Sequence, residues 1–272
     1  MMQTTVLVLE ATNTLSFAAA VDPMRAANRH AAQPVFDWHF ATPSSRDVTL
    51  TSGLVVPAAP LNRAPACDLL IVVAGVDPER QATPALCASL RRIATSAQVV
   101  AGIDGGPWVM ARAGLLDGYK ATTHWEDLQD FTQQFQNVST LDARFVDSGA
   151  RMTSGGAAPA IEMMLHLIAL HNGAALADKV AGSFIYDISR GPARPQGRQS
   201  LRIPHTPMTA RAHDIMQTHL EDPIPMTAIA RQLGLSLRAL QMQFRNRLGT
   251  SPQAHYLELR LAEADRLVPP PA

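Results

Sequence analysis

The sequence predicts an α/β chain in two parts, a doubly wound domain on a parallel sheet and then a small all-α domain. Three observations carry this. Over the first 170 residues, short apolar runs alternate with helical patterns. The runs are apolar throughout instead of at every second residue, as in strands covered on both faces. After a stretch rich in proline, the apolar spacing turns helical and stays so.

The elements follow in order. Thr5-Val-Leu-Val-Leu is the first strand, with a helix near Ser16–His30 and a strand over Phe36–Ala41. Leu69-Leu-Ile-Val-Val precedes a helix near Pro84–Thr95, and Val99-Val-Ala-Gly-Ile runs into a Gly-rich turn and straight into another helix. A weaker strand pair, Ala143–Asp147 and Ala150–Thr153, leads to a long apolar helix over Gly155–His171 and one more over 176–189. This alternation predicts a flavodoxin-like sheet over residues 1–189. Four prolines and two glycines between Arg190 and Pro207 mark a linker over 190–207, and the helical domain occupies 208–272.

Composition bounds the function. A chain of 272 residues, 47% hydrophobic, accommodates one sizeable domain and one small one. Zero formal net charge excludes a bulk polycation, so any nucleic-acid contact must come from a local patch. Residues 190–247 hold nine Arg against Asp214, Glu221 and Asp222. That surplus is either a DNA-facing patch or the solvated surface of a chain with 21 Arg and 2 Lys. Cys67 and Cys87 have neither metal-ligand nor redox spacing, the nine His form no ligand cluster, and no cofactor is implied. The amino terminus lacks a secretion signal and no apolar run spans a bilayer, so a cytoplasmic protein with no membrane role is expected.

Residues 226–267 read as a helix-turn-helix. Ile229, Ala230 and Leu233 face inward, Gly234 supplies the turn, and Ser236 caps a second helix that buries Leu240 and Phe244. Leu237, Arg238, Gln241, Met242 and Arg245 face outward, and Arg and Gln match base edges and phosphates in a major groove. Ser236, Arg238, Gln241, Arg245 and Arg247 are the candidate DNA contacts. An ordinary amphipathic helical pair would explain the apolar spacing, but not the Gly249-x-Ser251-Pro252-x-x-x-Tyr256 run.

With Arg260-Leu261, Ala264 and Leu267, these positions resemble the AraC family of regulators. The resemblance implies operator DNA as partner. It also implies a second helix-turn-helix, which this sequence does not carry, and an Arg where Met242 stands. Poor DNA binding by this chain alone is the expectation.

The ligand site is expected where the fourth strand, Val99-Val-Ala-Gly-Ile, turns. Asp104 falls at a sharp corner facing the carboxyl ends of the strands, where open α/β sheets bind ligands. His124 lies twenty residues on. Asp104 either anchors a cation, with Trp108, Trp125 and Phe17 as candidate aromatic faces, or merely pairs with His124 or caps the following helix. Gly75 either lets the chain approach a ligand or only turns it. Thr153-Ser-Gly-Gly offers amides to an anion or is only a helix cap. No second carboxylate stands at a convincing position in the sequence.

This segment, with Ala113-Gly-Leu-Leu-Asp-Gly and Ala121-Thr-Thr-His-Trp, resembles the ThiJ/PfpI branch of the glutamine-amidotransferase-like superfamily, in regulators that fuse it to an AraC-type reader. The resemblance covers nearly the whole chain. It implies a cysteine nucleophile at the corner, here Asp104, beside a histidine, here His124, and an acidic partner that aligns with Ser16. Without a thiolate, thiol-type hydrolysis is lost, leaving acid–base work or a transient ester on Asp104 as the catalytic alternatives. Ala20-Val-Asp-Pro-Met-Arg-Ala-Ala-Asn-Arg resembles members that sense betaine, carnitine or arginine. Asp22, Arg25, Asn28 and Arg29 could equally form a subunit interface.

The expectation is a DNA-binding regulator, not an enzyme, that binds a small amine ligand and pairs as a homodimer. Its rivals are a ThiJ/PfpI-type hydrolase or amidase and a truncated decoy pairing with a full-length relative.

Overall fold

A computed structural model describes residues 1–44, 46–186, 206–220 and 222–267. The chain divides into two units, Met1–Gln196 and Gly197–Ala272. Residues 190–205 of the expected linker, and 187–189 of the helix expected before it, lie outside the described residues.

The first unit begins with β1 (Met2–Val8), α1 (Thr14–His30) and β2 (Phe36–Thr42). The Asn13 side chain accepts the Leu15 N–H and starts α1 two residues before the expected position. Two short pieces, β3 (Val48–Thr49) and β4 (Val55–Val56), pair antiparallel, and β5 (Ala59–Pro60) joins β2. Then come β6 (Leu69–Ala74), α2 (Pro78–Gln81), α3 (Pro84–Ala94), β7 (Val99–Asp104) and α4 (Gly106–Arg112). The rest comprises β8 (Lys120–Ala121), α5 (Leu128–Gln134), β9 (Ser139–Thr140), β10 (Phe145–Asp147), β11 (Arg151–Ser154), α6 (Ala157–Asn172) and α7 (Ala174–Ser183).

Seven strands form one sheet in the order β10-β11-β7-β6-β1-β2-β5, parallel except where β10 meets β11. Both faces are covered, and the alternation along each strand explains why the runs are continuously apolar. Val6, Val8, Ile71, Val73, Ala101 and Ile103 pack with α1, α6 and α7. Leu7, Leu70, Val72 and Val100 pack with α3, α4 and α5. Each fully buried aliphatic side chain stabilises the fold by roughly 1.5–3 kcal/mol relative to exposure, so β6, solvent-free over its whole length, is the least replaceable strand.

At Gly106 the first turn of α4 lies against β6. A methyl carbon added there would fall 2.1 Å from the Val72 carbonyl oxygen, which is backbone and cannot swing aside. Gly106→Ala is therefore expected to lower stability by about 3 kcal/mol. Urea unfolding measures it, and an unchanged midpoint would contradict this account of the β6–α4 packing.

One buried charge pair was not foreseen. Glu162 on α6 is 6% exposed and takes both its oxygens to Arg144, at 2.7–3.0 Å, while also accepting the Tyr186 hydroxyl. Burial first, and then the bond to Glu162, push the Tyr186 hydroxyl up to about 12.

The second unit contains α8 (Pro207–Thr218), α9 (Met226–Gln232), α10 (Leu237–Leu248) and α11 (Pro252–Leu267). Its core gathers Ala212, Met216, Ile229, Ala230, Leu233, Leu240, Phe244 and Tyr256. Gly234, with φ of +70°, makes the turn between α9 and α10, a backbone conformation that strains any residue with a side chain. Ser236 accepts the Ala239 N–H and caps α10. The Tyr256 hydroxyl donates to the His219 carbonyl at 2.6 Å, so the Ser-Pro-x-x-x-Tyr run secures α11 to the end of α8. Among the described residues no helix is long and apolar enough to cross a membrane.

Candidate functional site

Asp104 ends β7 with φ of +62°, a left-handed conformation uncommon for a residue bearing Cβ. The corner is held from three sides. The Gly105 N–H donates to the Ala74 carbonyl at 2.9 Å, and the Thr123 hydroxyl donates to the Asp104 carbonyl at 3.3 Å. The Ser16 hydroxyl, wholly buried in the first turn of α1, donates to Asp104 Oδ2 at 2.8 Å. The residue at the acidic-partner position thus serves as a hydrogen-bond donor to the corner carboxylate.

Burial lifts the Asp104 carboxyl above the usual carboxylate range, while the bond from Ser16 and the charge of His124 draw it back down. The missing second carboxylate is present in space. Asp127 donates its N–H to the His124 carbonyl at 2.9 Å, and burial, together with the negative charges of Glu126, Asp104 and Asp130, raises its carboxyl, opposed by His124. Glu126 itself lies 3.6 Å from His124 Nδ1. The site is therefore centred on Asp104, short of water and held by Ser16, with the half-buried Asp127 carboxyl three residues beyond His124. Asp127 lies in the turn that leads into α5.

The other expected site residues separate into those near this corner and those elsewhere. Trp125 is tilted against His124, ring centroids 5.7 Å apart. Phe17 follows Ser16 on α1 but rests its ring on Phe40, at 5.3 Å. The expectation for Trp108 is corrected: it is 5% exposed and stacks edge-on against Phe131 and Phe135 in the core on the α3–α5 face, so it offers no face to a ligand. Gly75 is needed for a different reason than either one expected. A side chain there would stand 2.6 Å from the Ala11 carbonyl, so it admits the protein's own chain. Of the Thr153-Ser-Gly-Gly run, Thr153 accepts the Thr122 N–H at 2.8 Å, and the buried Ser154 hydroxyl, beside Ile103, has no partner among the described residues.

No thiol replaces the missing nucleophile, since burial pushes both Cys67 and Cys87 above the ordinary thiol range. Among the described residues no group of three His, Cys, Asp or Glu could hold a metal ion.

In the second unit, Arg238, Gln241, Met242 and Arg245 are exposed along one side of α10, opposite buried Leu240 and Phe244. At about 100° per residue, Arg247 falls roughly half a turn away from Arg238 and is exposed on another side. The structure thus separates Arg247 from the other candidate contacts. Ser236 stands at the amino end of the same helix, where its side chain is engaged as the cap.

Residues 5–170 match the model of the DJ-1/PfpI family. The HTH-type transcriptional regulator GbdR of Pseudomonas aeruginosa is 33% identical over 268 residues, covering 96% of this chain and 72% of that protein. The HTH-type transcriptional regulator GlxA of Rhizobium meliloti is 34% identical over 258 residues, covering 93% of this chain and 80% of its own. Among solved structures, an AraC family transcriptional regulator from Pseudomonas putida superposes with a TM-score of 0.57 at 23% identity, over 68% of this chain and all of that one.

Proposed function

This chain belongs to the DJ-1/PfpI family, among its helix-turn-helix transcriptional regulators, and from that premise we propose that it is a ligand-responsive, DNA-binding regulator of the AraC type. Its first unit holds a small cationic nitrogen compound, of the betaine, carnitine or arginine class, without converting it. The observation that carries this is the partly buried Asp104 carboxylate, held by the Ser16 hydroxyl at a left-handed strand-end corner where a thiol nucleophile would otherwise stand. A carboxylate partly stripped of water gains most from a neighbouring cation, and Trp125 beside His124 supplies an aromatic surface for a quaternary or guanidinium group. Ligand binding shifts the regulator only in so far as the ligand prefers one arrangement of a homodimer over another.

A thermal-shift screen of the purified chain against betaine, carnitine, choline and arginine, repeated with Asp104→Ala, tests the pocket. Stabilisation that grows with concentration and disappears in the variant supports it; no stabilisation by any of the four removes the proposed ligand class.

The reader is the face of α10 bearing Arg238, Gln241 and Arg245, with Arg247 outside it. Arg238→Ala or Arg245→Ala is expected to weaken binding to the regulator's own upstream DNA about tenfold, leaving cation affinity unchanged. Arg247→Ala is expected to do less. Gel-shift titrations at several salt concentrations decide this, and unaltered affinity in both of the first two variants would remove α10 as the reader.

A further inference from the structure

The chain runs from β1 to one side of the sheet, through β2, and then returns to the other side at β6. The carboxyl ends of β1 and β6 part at this reversal, and open α/β sheets bind ligands in the crevice there. A groove of about 370 Å³ opens at that point, lined by Glu10, Ala11, Val76, Asp77, Arg80 and Gln81. A hollow of about 230 Å³ shares Glu10 and Gln81 and adds Arg46. None of these residues belongs to the Asp104 corner.

The groove is braced. Gln81 Nε2 donates to the Glu10 carbonyl at 3.0 Å and to the Val76 carbonyl at 2.9 Å, joining the two strand-end loops. Ala11 and Asp77, at φ of +53° and +48°, are both held left-handed, and such strain persists only where surrounding structure imposes it. The Ala11 N–H donates to the Thr49 carbonyl, and the Val76 N–H to the Ala11 carbonyl.

The brace leaves polar groups of both signs available. With both Gln81 amide hydrogens engaged, its Oε1 remains an acceptor. Glu10 accepts the Thr49 N–H at 3.3 Å and has acceptor capacity to spare. Among the described residues, Arg80, Arg46 and Asp77 form no ion pair. An anion alone would leave the carboxylates unanswered, and a cation alone would leave the guanidinium so; a zwitterion answers both.

We propose that this crevice binds a free amino acid, with the Arg80 guanidinium taking its carboxylate and with Glu10, Asp77 and Gln81 Oε1 accepting the three ammonium hydrogens. Arg46 stands where an acidic side chain of the ligand would extend. The bidentate fork of arginine and three acceptors for three N–H groups select primary amines over quaternary ones. Such a site is independent of cation binding at Asp104.

Saturation-transfer NMR and thermal-shift titration of the whole chain, with L-alanine, L-glutamate and glycine betaine as probes, test it. At least one of the two amino acids is expected to bind, with Kd raised tenfold or more by Arg80→Ala and by Glu10→Gln and unchanged by Asp104→Ala. Glu10→Gln keeps an oxygen for the Thr49 N–H, and ligand-free melting midpoints verify that both variants fold. Betaine, lacking N–H groups, is expected to be indifferent to both crevice variants. The proposal is overturned if neither amino acid binds the wild-type chain, if either crevice variant leaves Kd unaltered, or if Asp104→Ala abolishes amino-acid binding. In that last case the corner reading stands and the crevice falls. Loss of betaine binding at Asp104 alone would leave the crevice standing.

Discussion

Phe244→Ala is expected to destabilise the helical unit by about 3–5 kcal/mol and to abolish DNA binding, while β6 and β7 of the α/β unit remain intact. Phe244 is wholly buried on α10, between Leu240 and the helix that follows, with His255 edge-on at 5.5 Å. The unit runs from Gly197 to Ala272, and a domain of that size has only a few kcal/mol in reserve. Truncating its largest fully buried side chain therefore removes most of its stability, because α8 to α11 share one small core. Arg238→Ala, by contrast, touches an exposed side chain and is expected to spare the fold. Amide hydrogen exchange separates the two units: protection is expected to vanish across Ile229–Phe244 and to persist across Leu69–Ala74 and Val99–Ile103. Retained protection in α9 and α10 would show that this core is not what holds the reader together.

The features readable from the sequence are those that short-range periodicity controls. β1, β6 and β7 stood out because each feeds both cores and so carries a continuous apolar run, which in β6 covers all of Leu69–Ala74. Gly234 and Ser236 were legible because a left-handed turn and a helix cap have strong residue preferences. β3, β4, β8 and β9 have two residues each and carry no pattern; their pairing is set by the loops around them. The candidate site divides in the same way. Asp104 was placed by a strand running into glycines, but the partial burial of Asp127, three residues after His124, depends on how the turn into α5 packs and not on its spacing. Trp108 misled because an aromatic four residues after a pocket residue is within reach of it on a helix, and equally within reach of the core on the far side. Its packing with Phe131 and Phe135 depends on α5, a seven-residue helix that was not among the elements expected from the sequence. Arg247 is a matter of helical phase: it is near in sequence and on the wrong side. The Arg144–Glu162–Tyr186 cluster joins residues up to 42 positions apart, beyond any local signal.

Asp104→Asn is expected to move stability and ligand affinity in opposite directions. The carboxyl is raised above its ordinary range chiefly by burial, so the folded state disfavours its charged form. A group raised in this way contributes most favourably below its unfolded pKa, and that contribution is lost as pH rises through the folded value. At neutral pH the ionised Asp104 is therefore a cost to the fold. Asparagine removes the charge and keeps an oxygen for the Ser16 hydroxyl, which now donates at 2.8 Å. The variant is thus expected to melt higher than the wild type at pH 7, with the gap closing as the pH falls to the ordinary carboxylate range. Cation binding should weaken ten- to a hundredfold, since a charge-assisted contact contributes about 1.5–3 kcal/mol. Melting curves from pH 4 to 8, with and without betaine or arginine, read both effects. If the variant melts lower at neutral pH, Asp104 is a structural carboxylate that the elbow needs for its own sake. If it melts higher and binds the cation as tightly as before, the corner's strain and burial serve something other than a cation. The expected pattern, a more stable fold that no longer responds to its ligand, is what a binding site leaves behind when its charge is kept at the expense of the protein around it.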